Sequence, residues 1–125
     1  GSNSLTGEIP LELANAKRLE SIGLFENNFI GSIPHKLAEL PSLKYLGLFD
    51  NELDGFIPDS LFKKGSLNYL KLDKNNFSDL DHDLICKSGF NWDNNIFFDI
   101  SNNHIPKINN KCPHGIIFHE IYNSY

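Results

Sequence analysis

Apolar residues return along this chain on a fixed beat. They read Leu19, Ile22, Leu24 and Phe29 around Asn27, then Leu43, Leu46, Leu48 and Leu53 around Asn51, then Leu67, Leu70, Leu72 and Phe77 around Asn75. Equivalent positions lie 24 residues apart, and an earlier partial copy carries its asparagine at Asn3. Within each copy, pairs such as Ile22 and Leu24 flank one polar or small residue, the alternation of a strand with one buried face. A fixed period of this length, with leucines and an asparagine in register, predicts a solenoid. Each coil supplies one short strand, and the strands stack in parallel about 4.8 Å apart. The asparagine at the strand end turns inward, where its amide can serve the backbones of adjacent coils that would otherwise be buried without partners.

After the asparagine, three copies continue with a glycine, an isoleucine and a proline: Gly7, Ile9 and Pro10; Gly31, Ile33 and Pro34; Gly55, Ile57 and Pro58. The glycine permits a bend, the isoleucine fills the core, and the proline is expected to end local pairing. Residues 34–40 and 58–62 then read as short helical turns opening on proline. The pairs Leu13-Ala14, Leu37-Ala38 and Leu61-Phe62 share one register and should face the core from the convex side. The beat loosens after Phe77. Ser78 to Leu84 lacks the glycine and proline, and the next ladder residue, Asn103, comes 28 residues after Asn75. The four extra residues are placed in 87–94, a strand over Ile96 to Ser101, and a C-terminal cap over 115–122. The chain opens at a ladder asparagine without an N-terminal cap, so it reads as a piece of a longer protein.

The runs Leu5-Thr6-Gly7-Glu8-Ile9-Pro10, Phe29-Ile30-Gly31-Ser32-Ile33-Pro34 and Leu53-Asp54-Gly55-Phe56-Ile57-Pro58 resemble the plant-type leucine-rich repeat. The resemblance extends from Leu5 to about Phe77. It implies an α/β leucine-rich-repeat solenoid of about five coils, with a concave parallel β-sheet and short convex helices or turns. Residues 1–125 form a single domain, regular over 3–77 and irregular with a cap over 78–125. This class is similar to the ectodomains of plant receptor-like kinases and to secreted polygalacturonase inhibitors. It implies a non-catalytic module that recognises a protein or peptide, or a carbohydrate, at an extracellular or cell-surface location. A secreted defence protein and an intracellular microbial scaffold are the alternatives. Ice binding ranks last, because it wants a ladder of threonines and the chain has only Thr6.

Composition narrows the partners. A net charge of −5 with dispersed carboxylates argues against nucleic acid and against direct contact with an anionic membrane. Asp79, Asp81 and Asp83 alternate around His82, but a calcium loop would need a glycine and a glutamate where this chain has Leu84 and Phe90. Cys86, Cys112, His114 and His119 lack the paired spacings of a zinc site. No hydrolase motif occurs. Neither metal, cofactor nor enzymatic activity is expected. Cys86 lies eleven residues past its ladder asparagine and Cys112 nine past the next, near-equivalent places one coil apart. That spacing suits a disulfide worth about 3.5 kcal/mol on the chain-entropy model. Asn76-Phe77-Ser78 is a glycosylation sequon, with Asn76 expected to point outward.

Strand alternation also lays out a candidate face. Ser21, Tyr45, Tyr69 and Phe97 form one outward column. Gly23, Gly47, Lys71 and Asp99 form the next, and Phe25, Phe49, Asp73 and Ser101 a third. Aromatic side chains should surround a shallow trough above Gly23 and Gly47, with Glu26 and Asp50 along one rim. Such a face suits a ligand with an apolar surface and a positive group. The uncapped first coil offers a second surface, for self-association.

Overall fold

Two parallel sheets, rather than one, run along the stack of coils. The computed structural model describes residues 4–63, 66–80 and 97–105. The main sheet comprises β2 (Ser21–Gly23), β4 (Tyr45–Gly47), β6 (Tyr69–Lys71) and β8 (Phe97–Asp99), in that order. The second comprises β1 (Thr6–Glu8), β3 (Asn28–Gly31), β5 (Glu52–Phe56) and β7 (Asn76–Asp79). One strand per coil, ending at the asparagine, is therefore corrected to two. The segment between ladder asparagine and proline is itself extended and pairs with its counterparts before the proline is reached. Gly7, Gly31 and Gly55 take φ of 89°, 82° and 80°, a left-handed turn that side-chain-bearing residues resist. β7 has no such glycine and still pairs with β5, through a register shift between Gly55 and Phe56 that sets Phe56 against Asp79.

The prolines act one step earlier than the first helical residue. Pro10, Pro34 and Pro58 are extended, and each carbonyl accepts a hydrogen bond from the residue three on: Leu13, Leu37 and Leu61, at 3.2, 3.0 and 3.3 Å. The turns they open are a 3-10 turn at Leu11–Asn15, α1 (His35–Ala38), and a 3-10 turn at Asp59–Phe62. Ala14, Leu37, Ala38, Leu61 and Phe62 are buried, while Leu13 is half-buried. Strand leucines, the isoleucines preceding the prolines, and Leu37, Ala38, Leu61 and Phe62 form one continuous core, with Leu13 packed against it. Leu37, Leu43, Leu46, Leu48, Leu53, Leu61, Leu70 and Leu72 are wholly shielded from solvent. The last described strand is shorter than 96–101, but Ile100 is buried and the Phe98 ring tilts against Phe62 at 5.3 Å between centroids.

Each ladder asparagine connects two coils. Asn51 Oδ1 accepts from the Phe29 backbone N–H of the preceding coil at 3.1 Å. Its Nδ2 donates to Leu24 O of that coil at 2.9 Å and to Leu48 O of its own at 3.1 Å. Asn75 repeats this with Leu53 N, Leu48 O and Leu72 O, and Asn103 with Phe77 N, Leu72 O and Ile100 O. Asn27 accepts from Leu5 N at 3.2 Å. One amide thus satisfies backbone groups of both sheets where the chain passes between them. Asn3, the acidic run from Asp81 to Asp83, the insertion in 87–94, Cys86 and Cys112, and the cap over 115–122 lie outside the described residues.

A candidate binding face on the main sheet

The main-sheet register sets Ser21, Tyr45, Tyr69 and Phe97 side by side, and next to them Gly23, Gly47, Lys71 and Asp99. Strands one coil apart are separated by little more than the thickness of an aromatic ring. Rings at equivalent positions therefore stack face to face. Tyr45 and Tyr69 lie 4.3 Å apart at 12°, and Tyr69 and Phe97 4.7 Å apart at 13°. Phe25 and Phe49, in the third column, stack at 4.7 Å and 4°. Two aromatic ladders thus run along the face, their rings stacked flat side to flat side, with Tyr69 held between two others.

Between the ladders the expected trough is filled. A methyl group added at Gly47 would come within 2.9 Å of the Tyr45 hydroxyl, and one added at Gly23 within 3.1 Å of the Phe25 ring. The two aromatic side chains lean across the glycines and close over bare backbone. Tyr45, Tyr69, Phe25 and Phe49 are accordingly half-buried, whereas Phe97 remains 44% exposed. Burial raises the Tyr69 hydroxyl pKa above its ordinary value, and the adjacent Tyr45, then Asp73 and Asp99, raise it further.

Where the aromatic column ends, a cation takes its place. Lys71 Nζ sits 4.0 Å from the centroid of Phe49, on the cation-binding face of the ring, and 2.7 Å from Asp73 Oδ1. Residues two apart on a strand share a face, so the Lys71-x-Asp73 spacing carried this signal in sequence. The closure of Lys71 onto Phe49 did not show there, because it depends on rotamers. Asp73 is only 4% exposed, so within its column it supports Lys71 rather than facing solvent. Asp99 is likewise engaged, accepting from Ser101 Oγ at 2.6 Å and Ser101 N at 3.0 Å.

Glu26 and Asp50 are exposed at the ends of the first two strands. Both have left-handed backbones, with φ of 56° and 60°, as do Lys74 and Asn102 at the same register. The residue before every described ladder asparagine is thus left-handed, a feature the apolar pattern does not announce. On the second sheet, Asn76 is exposed, and its Oδ1 lies 3.2 Å from His104 Nε2. On the convex side, the first 3-10 turn and α1 border a hollow of about 500 Å³ lined by Leu11, Ala14, Lys17, Lys36 and Glu39 among others. Among the described residues no group of His, Cys, Asp and Glu is arranged to hold a metal, and no helix is long and apolar enough to cross a membrane.

A parallel-sheet solenoid with an asparagine ladder, glycine bends and proline-opened turns defines the class. The chain is a leucine-rich-repeat protein, and its repeats are of the plant type. The family model described as Leucine Rich Repeat matches residues 42–63. Among solved structures, the BIR2 ectodomain from Arabidopsis thaliana is similar at 32% identity and a TM-score of 0.72, over 83% of this chain and 53% of that one. The leucine-rich-repeat ectodomain of the Arabidopsis receptor kinase HAESA, in complex with an N-terminally extended IDA peptide hormone, is similar at 32% identity and a TM-score of 0.71. That match covers 82% of this chain and 17% of the ectodomain. The plant peptide hormone receptor RGFR1, in complex with RGF2, is similar at 31% identity and a TM-score of 0.69, over 82% and 16%. This chain therefore spans about half of one of these relatives and under a fifth of the other two. No curated protein matches it in sequence.

Proposed function

We propose that this chain is a non-catalytic recognition module of the receptor-ectodomain kind, which binds a protein or peptide through the concave, aromatic face of its main sheet. Two similar structures, HAESA and RGFR1, are receptors in complex with peptide hormones, which supports a peptide as the ligand class. The observation that carries the reading is the pair of aromatic ladders, Tyr45–Tyr69–Phe97 and Phe25–Phe49. Half-buried aromatic side chains held rigidly side by side offer contact area with little entropy left to lose on binding. Carbohydrate fits less well than peptide. Sugars stack on the flat sides of rings, and here those sides are largely taken by neighbouring rings and by Lys71. A basic group on the peptide would sit against Glu26 and Asp50, beside the Phe25–Phe49 ladder.

The test is selection of a random peptide library on the wild-type protein, followed by affinity measurement on the Tyr45→Ala/Phe49→Ala variant. Binding should weaken at least about tenfold while circular dichroism shows an unchanged fold. Unchanged affinity in the folded double variant would move the site elsewhere. An extracellular location goes with this function and is supported by the similar ectodomains of HAESA and BIR2. It carries two consequences: a Cys86–Cys112 disulfide and a glycan on Asn76. Mass spectrometry of unreduced, alkylated protein from a secreting eukaryotic host reads both. Two alkylated cysteines, or an unmodified Asn76, would remove the corresponding feature.

A further inference from the structure

The second sheet has its own outward face, and that face carries charge of one sign only. Glu8, Ile30, Glu52, Asp54 and Phe56 project from it across β1, β3 and β5. Parallel pairing sets Glu8 beside Ile30 and Ile30 beside Glu52, so an exposed apolar side chain lies between two carboxylates. Asp54 and Phe56 follow on the same side of β5. Phe56, at 63%, is the most exposed large apolar side chain among the described residues, and Ile30 is 49% exposed. No Lys, Arg or His lies on any of the four strands. The ion pairs among the described residues, Glu20–Lys44, Asp59–Lys63 and Asp73–Lys71, all lie off this sheet. Glu52 and Asp54 lie two residues apart on β5, and Glu8 lies two strands away, about 10 Å. Like charges this close repel one another, and an arriving cation relieves that repulsion.

We infer that this outer face is a second docking surface, for a basic protein partner that places Lys or Arg side chains against Glu8, Glu52 and Asp54 around an apolar contact on Phe56 and Ile30. The two features complement each other. An isolated exposed phenylalanine is ordinary on a protein surface, and so is a loose acidic patch. Two exposed apolar side chains, Ile30 beside Glu8 and Glu52 and Phe56 two residues past Asp54, alternate with carboxylates across one sheet. That layout joins apolar contact to charge that steers the partner. The surface is separate from the aromatic face of the main sheet, so both can be occupied together. Asn76, on β7 beside Asp54, marks its border, and the partner covers the three preceding strands.

Peptides from a random library selected on the wild-type protein, then sorted by their response to variants, decide the matter. A distinct set should carry Arg or Lys flanking a Leu, Phe or Trp. Those peptides should weaken at least about tenfold on Phe56→Ser and on Glu52→Lys/Asp54→Lys, and keep their affinity on Tyr45→Ala/Phe49→Ala. The substituted side chains are exposed, so the variants should fold, which circular dichroism checks. If no selected peptide responds to the Phe56 and Glu52/Asp54 variants, or if those that do carry no basic residues, the proposal is overturned. It is also overturned if the wild-type protein sediments as a dimer that Phe56→Ser dissociates, because the face would then serve a second copy of the chain.

Discussion

Asn51 shows how one amide holds two coils. Its oxygen serves the Phe29 N–H, and its nitrogen serves Leu24 O and Leu48 O, all where the chain turns from one sheet to the other. Asn51→Ala leaves those groups buried and unpaired, and should cost about 3 kcal/mol, read from the urea unfolding midpoint. A loss below about 0.5 kcal/mol would mean that water replaces the amide at that site. The residue just before each ladder asparagine tells a different story. Lys74 is exposed with φ of 58°, a conformation whose cost comes from its own Cβ. Lys74→Gly should leave stability level or raise it by up to about 1 kcal/mol, while Lys74→Val should lower it by about 1–2 kcal/mol. Equal midpoints for the two variants would contradict a left-handed Lys74. The inward asparagines could be read from the repeat. The left-handed neighbours could not, because Glu, Asp, Lys and Asn share no property that marks that conformation.

At the scale of elements, the main sheet is organised by its glycines as much as by its leucines. Gly47 lets Tyr45 lie across the backbone and meet Tyr69 at 4.3 Å. Gly47→Ala should push the Tyr45 ring off the sheet and unstack the pair. Only the far end of a flexible side chain must move, so stability should change by less than about 1 kcal/mol. The near-UV circular dichroism of the tyrosines should change clearly, and peptide affinity at the main-sheet face should fall with it. An unaltered spectrum would show that the rings do not depend on the gap. The strand columns were legible from alternation alone, since neighbouring residues on a strand point to opposite faces. Alternation does not fix side-chain torsions, so an open trough was the natural expectation. The second sheet was hidden for a related reason. Its strands bury at most one apolar side chain apiece, Phe29, Leu53 and Phe77 on the last three, and the first three contain a glycine, neither of which is a strand signal in sequence.

In the molecule as a whole, stability accumulates through the stack. Leu46 lies on a middle strand and is wholly buried between the coils on either side. Leu46→Ala should cost about 2–5 kcal/mol and lower the midpoint of a single cooperative transition. Two separated transitions in the variant would show the flanking coils folding as independent units. The 24-residue beat by itself determined the parallel stack, the buried leucines and isoleucines, the asparagine ladder and the order in which side chains line the main sheet. Those follow from period and polarity, which are properties of the chain read one residue at a time. Only the tertiary structure decided that rings close over Gly23 and Gly47, that Lys71 folds onto Phe49, that a second sheet forms, and that Glu8, Glu52 and Asp54 gather around Ile30 and Phe56. The closure over Gly23 and Gly47 and the row Glu52, Asp54 and Phe56 lie within single repeats, but they turn on side-chain torsions and backbone geometry that polarity does not encode. Lys71 on Phe49, the second sheet and Glu8 beside Ile30 instead join atoms from different coils.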